Sequence, residues 1–128
     1  MITPTTRLGQ LMERNLFEVF AERDPDRRKH AIAELYAESC AFYDAEGKSI
    51  GRAAISDRVG RILTASAPGI AFSLADRAEV IHDLGRLRWQ IGAAEAAPAP
   101  YGMDVAVFTD GRIRTLYTFV KTSSVANR

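Results

Sequence analysis

The sequence holds a single cysteine, Cys40, so no disulfide can form within the chain and no cysteine-based metal centre can be built. Its two histidines, His30 and His82, stand far apart and without companions at ligand spacing, so no metal site is expected. Nor is a cofactor: there is no Gly-rich phosphate loop, and no Ser nucleophile motif either. No stretch approaches the roughly 18 apolar residues of a bilayer span, so no membrane partner is expected. Charge of one sign is lacking as well, with 17 Lys and Arg against 16 Asp and Glu and a net charge of +1. A nucleic-acid binder concentrates its basic residues into a patch. Here the arginines are scattered among acids. The one basic run, Arg27, Arg28 and Lys29, follows Asp24 and Asp26 and reads as a solvated helix face. No nucleic acid is expected. Met1 to Gln10 shows no basic segment leading into an apolar run, so a cytoplasmic location is the default expectation.

What is present suits one domain spanning 1–128. A hydrophobic fraction of 47% and a charged fraction of 26% supply enough apolar material for a sizeable core.

The first half has helical periodicity. Thr3-Pro4 is an N-cap followed by proline at the first helical position. Leu8, Leu11, Met12, Leu16, Val19 and Phe20 recur at three- and four-residue steps, one apolar stripe on a helix that stops near Arg23. Asn15 borders that stripe; a surface amide is the commoner outcome, a pocket-mouth amide the alternative. Asp24-Pro25-Asp26 starts a second helix, which buries Ile32, Leu35 and Tyr36. From Ser39 the period becomes two, with Cys40, Phe42 and Asp44 on one side of a strand. A third helix spans Gly51 to Ser66, with Ile55, Val59, Ile62 and Leu63 inward.

The second half alternates with a strand period. Ile70, Phe72, Leu74, Ala78 and Val80 face one way, and Leu87, Trp89 and Ile91 follow after a turn at His82-Asp83-Leu84-Gly85. Ala93 to Pro100 is an Ala/Pro-rich connection, since proline lacks a ladder donor. Tyr101 to Phe108 and Arg112 to Lys121 are strands joined by a hairpin at Thr109-Asp110-Gly111. The tail from Thr122 to Arg128 is polar. Helices followed by a meandering sheet is an α+β order, and a strongly curved sheet wrapping helices leaves room for a cavity between them.

Three segments carry a resemblance. Leu35-Tyr36-Ala37-Glu38-Ser39-Cys40-Ala41-Phe42-Tyr43-Asp44 resembles the helix-to-strand passage of ketosteroid isomerase and SnoaL-like proteins. Gly47-Lys48-Ser49-Ile50-Gly51-Arg52-Ala53-Ala54-Ile55 resembles their Gly-x-x-Ala-Ile entry to the third helix. Gly102 to Ile113 resembles their terminal hairpin. The resemblance runs from about Leu8 to Val120 and points to the nuclear transport factor two-like superfamily. It implies a cystatin-like cone: three N-terminal helices packed on a strongly curved, mostly antiparallel sheet. It also implies a homodimer formed through that sheet.

The same resemblance suggests chemistry. Isomerases of this kind use a carboxylate to move a proton beside a carbonyl, with a tyrosine and a protonated Asp stabilising the enolate. Asp44 matches the base and Asp104 the protonated acid. Leu16 falls where the donor tyrosine belongs, and Ala45 where a proline usually follows the base. Asp104 interrupts a run that is apolar on both faces, so it needs a raised pKa or a partner such as an arginine. The expected ligand is a small apolar molecule bearing a carbonyl. Its expected pocket is lined from the helices and first strand by Asn15, Leu16, Phe20, Tyr36, Phe42 and Leu63. From the sheet it is lined by Trp89, Ala106 and Tyr117. For Trp89 core packing is the simpler reading, and for Cys40 a small buried hydrophobe. Epoxide hydrolysis of the limonene type would need an Asp in the last strand, where Leu116-Tyr117-Thr118-Phe119 has none. An isomerase or aldol-type cyclase and a non-catalytic ligand-binding or assembly module both remain open at this point, because one fold hosts both.

Overall fold

The computed structural model describes residues 3–92 and 100–121. The expectations for most of the Ala/Pro-rich connection and for the polar tail lie outside those residues. Helix α1 runs Pro4–Arg14, capped by Thr3, whose hydroxyl accepts the amide of Thr6. The expected single helix to Arg23 changes character: Asn15–Phe20 is a π-helical turn, closed by the Ala21 amide on the Leu16 carbonyl. It turns Asn15, Leu16, Val19 and Phe20 into the interior together.

Helix α2, Pro25–Leu35, is capped by the Asp24 carboxylate on the Arg27 amide. Strand β1, Tyr36–Asp44, starts three residues earlier than the alternation suggested, so Tyr36 belongs to the sheet and not to the helix. Strand β2, Gly47–Ile50, returns antiparallel to it, and α3 follows over Arg52–Ala65. The expected strand after Ile70 divides into β3, Phe72–Leu74, and β4, Glu79–Ile81; both pair with β5, Leu84–Ile91. Strands β6, Tyr101–Thr109, and β7, Arg112–Lys121, form the long terminal hairpin. Asp110 and Gly111 take the positive φ values, 50° and 75°, that a two-residue hairpin turn demands.

The seven strands order as β2-β1-β7-β6-β5-β3, with β4 also on β5. Among the described residues only β1 against β7 is parallel. The expected α+β cone is therefore present, with a curved, open and mostly antiparallel sheet. The helices bury their stripes on its concave face. Leu16, Val19, Leu35, Tyr36, Phe42, Ile55, Leu87, Ile113 and Leu116 are almost wholly enclosed there, and each large apolar side chain so buried contributes roughly 1.5–3 kcal/mol. The register then determines the site. β1, β5, β6 and β7 bring Asp44, the C-terminal halves of β5 and β7 and the start of β6 to one end of the concave face.

Candidate functional site

Strand alternation selects which side chains share that face. Asp104 lies opposite Thr118 on β7 and opposite Leu87 on β5. It is 3% exposed. Trp89 donates its indole N–H to Asp104 Oδ1 at 3.0 Å, and Thr118 donates its hydroxyl to the same oxygen at 2.8 Å. The indole can take that position because it lies across Gly102, where any Cβ would stand 2.4 Å from the ring. Among the described residues no arginine or lysine pairs with Asp104. Burial pushes its carboxyl up to about 6, against the two hydrogen bonds that pull it down. Of the two outcomes expected for a carboxylate inside an apolar run, the structure takes the raised pKa and neutral donors.

Tyr36 is fully enclosed beneath this group, and its hydroxyl donates to Asn15 Oδ1 at 2.7 Å. Burial, and then the charge of Asp104, holds the phenol well above its usual range. Asn15 is 1% exposed, so the commoner expectation of a surface amide is overturned. The π-helical turn is the physical reason, because it brings the amide inward to satisfy the buried phenol.

Asp44 ends β1 on the same face, one strand beyond Thr118. Its surroundings differ. Arg58 on α3 donates to Asp44 Oδ2 from Nε at 2.9 Å and from Nη2 at 2.8 Å, and the Glu46 amide donates to Oδ1. Both carboxylate oxygens are therefore engaged.

The other residues expected around a cavity separate into two groups. Leu16, Phe20, Phe42, Leu63, Trp89 and Ala106 pack into one core cluster. Phe20 meets Phe42 edge-on at 5.3 Å, and Trp89 meets Phe72 likewise at 5.7 Å. Tyr117 faces the other way: it is 40% exposed on the convex face and stacks on Tyr43 at 5.0 Å. It lines a groove of about 350 Å³ at the strand ends, together with Asp44, Thr118 and Phe119. That groove reaches Thr118, one hydrogen bond from Asp104. Cys40 is buried and its thiol is pushed up by that burial, as a packing residue requires.

Two participants escaped the sequence reading. Thr118 alternates with Leu116 and so faces inward, a signal that was legible. Arg58 lies one step before Val59 on α3, and nothing in its neighbourhood of sequence announces Asp44 as its partner. Arg28 is a correction: it is 5% exposed and not on a solvated face, because its guanidinium turns back between α2 and α3. Among the described residues no cluster of three or more His, Cys, Asp or Glu is placed to hold a metal ion. No described helix is long and apolar enough to cross a membrane.

No protein-family model and no curated protein sequence matches the chain. Solved structures do. A candidate isomerase of the SnoaL-like family from Agrobacterium tumefaciens superposes with a TM-score of 0.80 at 22% identity, over 91% of this chain and 98% of that one. A nuclear transport factor two-like protein of unknown function from Mesorhizobium loti gives 0.67 at 27% identity, over 93% and 94%. A candidate SnoaL-like polyketide cyclase from Jannaschia gives 0.69 at 12% identity, over 91% and 87%. With three helices laid on an open curved sheet, the chain has the fold of the nuclear transport factor two-like superfamily, the fold of SnoaL-like and ketosteroid isomerase-like proteins.

Proposed function

We propose that the protein binds a small apolar carbonyl compound at the strand-end groove and moves a proton at the carbon beside the carbonyl. The reaction class is isomerisation or aldol-type cyclisation without a cofactor. The observation that supports this reading is the buried Asp104 carboxyl. Its burial pushes it to about 6, and two donors fix one of its oxygens in place. A carboxylate whose pKa approaches the working pH is a competent base and, once protonated, a competent acid. The groove stops at Thr118, so in this reading the α-proton passes through the Thr118 hydroxyl, which gives its own proton to Asp104 Oδ1, and the electron pair left behind delocalises onto the carbonyl oxygen as an enolate. Return of the proton at a different carbon completes an isomerisation; attack of the enolate carbon on a second carbonyl forms the new bond of a cyclisation. In this reading Asp44, with both oxygens engaged, holds Arg58 at the rim and does not take the proton.

The test is deuterium exchange. The protein is incubated in D₂O with a panel of cyclic enones and β-ketoesters, and α-deuteration is followed by NMR. Exchange catalysed by the parent and lost in Asp104→Asn supports the reading. Catalysis that survives in Asp104→Asn, or is absent across the panel, counts against it.

The second reading, a homodimeric module, draws on the convex face. Tyr117 and Phe119 are exposed there beside Met103, Val105 and Val107. Arg86 with Glu79 and Arg88 with Asp76 flank this patch with both charge signs, which a two-fold pairing of identical faces can match. Light scattering of the parent and of Phe119→Glu separates the cases: a dimer converted to a monomer supports a sheet interface, and a monomeric parent rejects it.

A further inference from the structure

Helices α2 and α3 border an open groove of about 650 Å³ in which three arginines, Arg23, Arg28 and Arg61, face a single carboxylate, Asp57. Among the described residues, none of the three has a carboxylate within ion-pair distance, whereas Arg14, Arg27, Arg58, Arg77, Arg86 and Arg88 each do. Arg28 is the anchor. It is buried, and it donates from Nε to Ser56 Oγ at 3.1 Å and from Nη1 to the Glu22 carbonyl at 2.7 Å. Both acceptors are neutral, and among the described residues Nη2 has no acceptor. That atom stands against Gly60, where a Cβ would lie 3.0 Å from it, so the missing side chain at this helix position leaves the guanidinium head its place in the groove wall. Arg23 closes the far end by donating to the carbonyls of Leu63 at 2.9 Å and Ala67 at 3.2 Å, again without meeting an acid.

A guanidinium keeps its charge at any ordinary pH, and holding one largely out of water without a counter-charge has a cost, limited here because Nη2 opens to the groove. An anion in the groove would offset that cost, and a planar fork suits the tetrahedral oxygens of phosphate. The volume is that of a small-molecule site. Pro25, Leu63 and Ala65 supply apolar wall beside the charges. We infer that this groove binds a small phosphomonoester, its phosphate set against Nη2 of Arg28 and the guanidinium of Arg61, and its organic body along the apolar wall. The site lies between helices and not on the sheet, so it stands independently of the acid–base reading.

The test is calorimetric titration of the full chain with phenyl phosphate, inorganic phosphate and benzyl alcohol, with amide chemical shifts locating the binding. The expected result is saturable, salt-sensitive binding of phenyl phosphate, weaker binding of inorganic phosphate, none of benzyl alcohol, and shifts confined to α2 and α3. Arg28→Met endangers the helix packing, so the decisive variants are Arg61→Glu, on an exposed side chain, and Gly60→Ala. Each should weaken phenyl phosphate by about tenfold or more, which is about 1.4 kcal/mol. Absence of binding, shifts elsewhere, affinity unchanged in Arg61→Glu, or inorganic phosphate binding as tightly as phenyl phosphate would each overturn the inference.

Discussion

Asp44 and Asp104 stand on one face of one sheet, separated by a single strand, and their charges are handled in opposite ways. Asp44 pairs with Arg58 at the rim, with side-chain exposures of 12% and 18%. Asp104 is enclosed with two neutral donors and, among the described residues, no cation. The first arrangement spends its carboxylate on holding a neighbour in place. The second leaves a carboxyl whose protonation changes near neutral pH, at a cost to the fold whenever it is ionised. Position along the strand makes this difference: the strand end reaches an arginine on α3, and the interior of β6 reaches only the core.

The largest effect expected on this comparison comes from Trp89→Ala, which removes a donor to Asp104 and a large core side chain together. Chemical denaturation should show a loss of about 3–5 kcal/mol. Asp104→Asn sharpens the contrast next. The folded carboxyl titrates near 6 and the unfolded one near 3.8, so its favourable contribution is complete below about pH 4 and lost as pH rises through 6. Parent and variant should therefore match near pH 4, and the variant should be more stable by about 3 kcal/mol at pH 8. Denaturation midpoints across that range check this, and a constant difference would sink it. Thr118→Val removes one hydrogen bond to the ionised group, a loss of about 2 kcal/mol at pH 8 and clearly less at pH 4. It should also move the titration of Asp104 further upward, observable by carboxyl-carbon NMR. The smallest effect belongs to the other carboxylate: Arg58→Gln should lower stability by about 1 kcal/mol or less, as for a partly screened ion pair, and weaken further stabilisation by low salt.

The order of elements was legible because periodicity and caps are local. Thr3, Asp24 and Asp110-Gly111 act through neighbours two or three residues away, and the structure places caps and turn where those residues stand. The inward alternation of Trp89, Asp104 and Ala106 was legible for the same reason. Three features were not. The π-helical turn leaves the apolar stripe intact, so Asn15 looked peripheral until Tyr36 was seen to need an acceptor. Tyr36 continued the helical spacing of Ile32 and Leu35 while already belonging to β1. Arg28 sat within a basic run, and a run of charges carries no mark of which member turns inward.

The sequence by itself determined the α+β order, the core-facing stripes and the presence of an acid inside an apolar strand, because each depends on spacing along the chain. Only the tertiary structure decided what surrounds each acid. Arg58 meets Asp44 from 14 residues away, Trp89 and Thr118 converge on Asp104 from two strands, and Arg28 lies between two helices without a counter-charge among the described residues. Those pairings follow from sheet register and helix packing, and the electrostatics of a buried group is set by its neighbours in space and not by its neighbours in sequence.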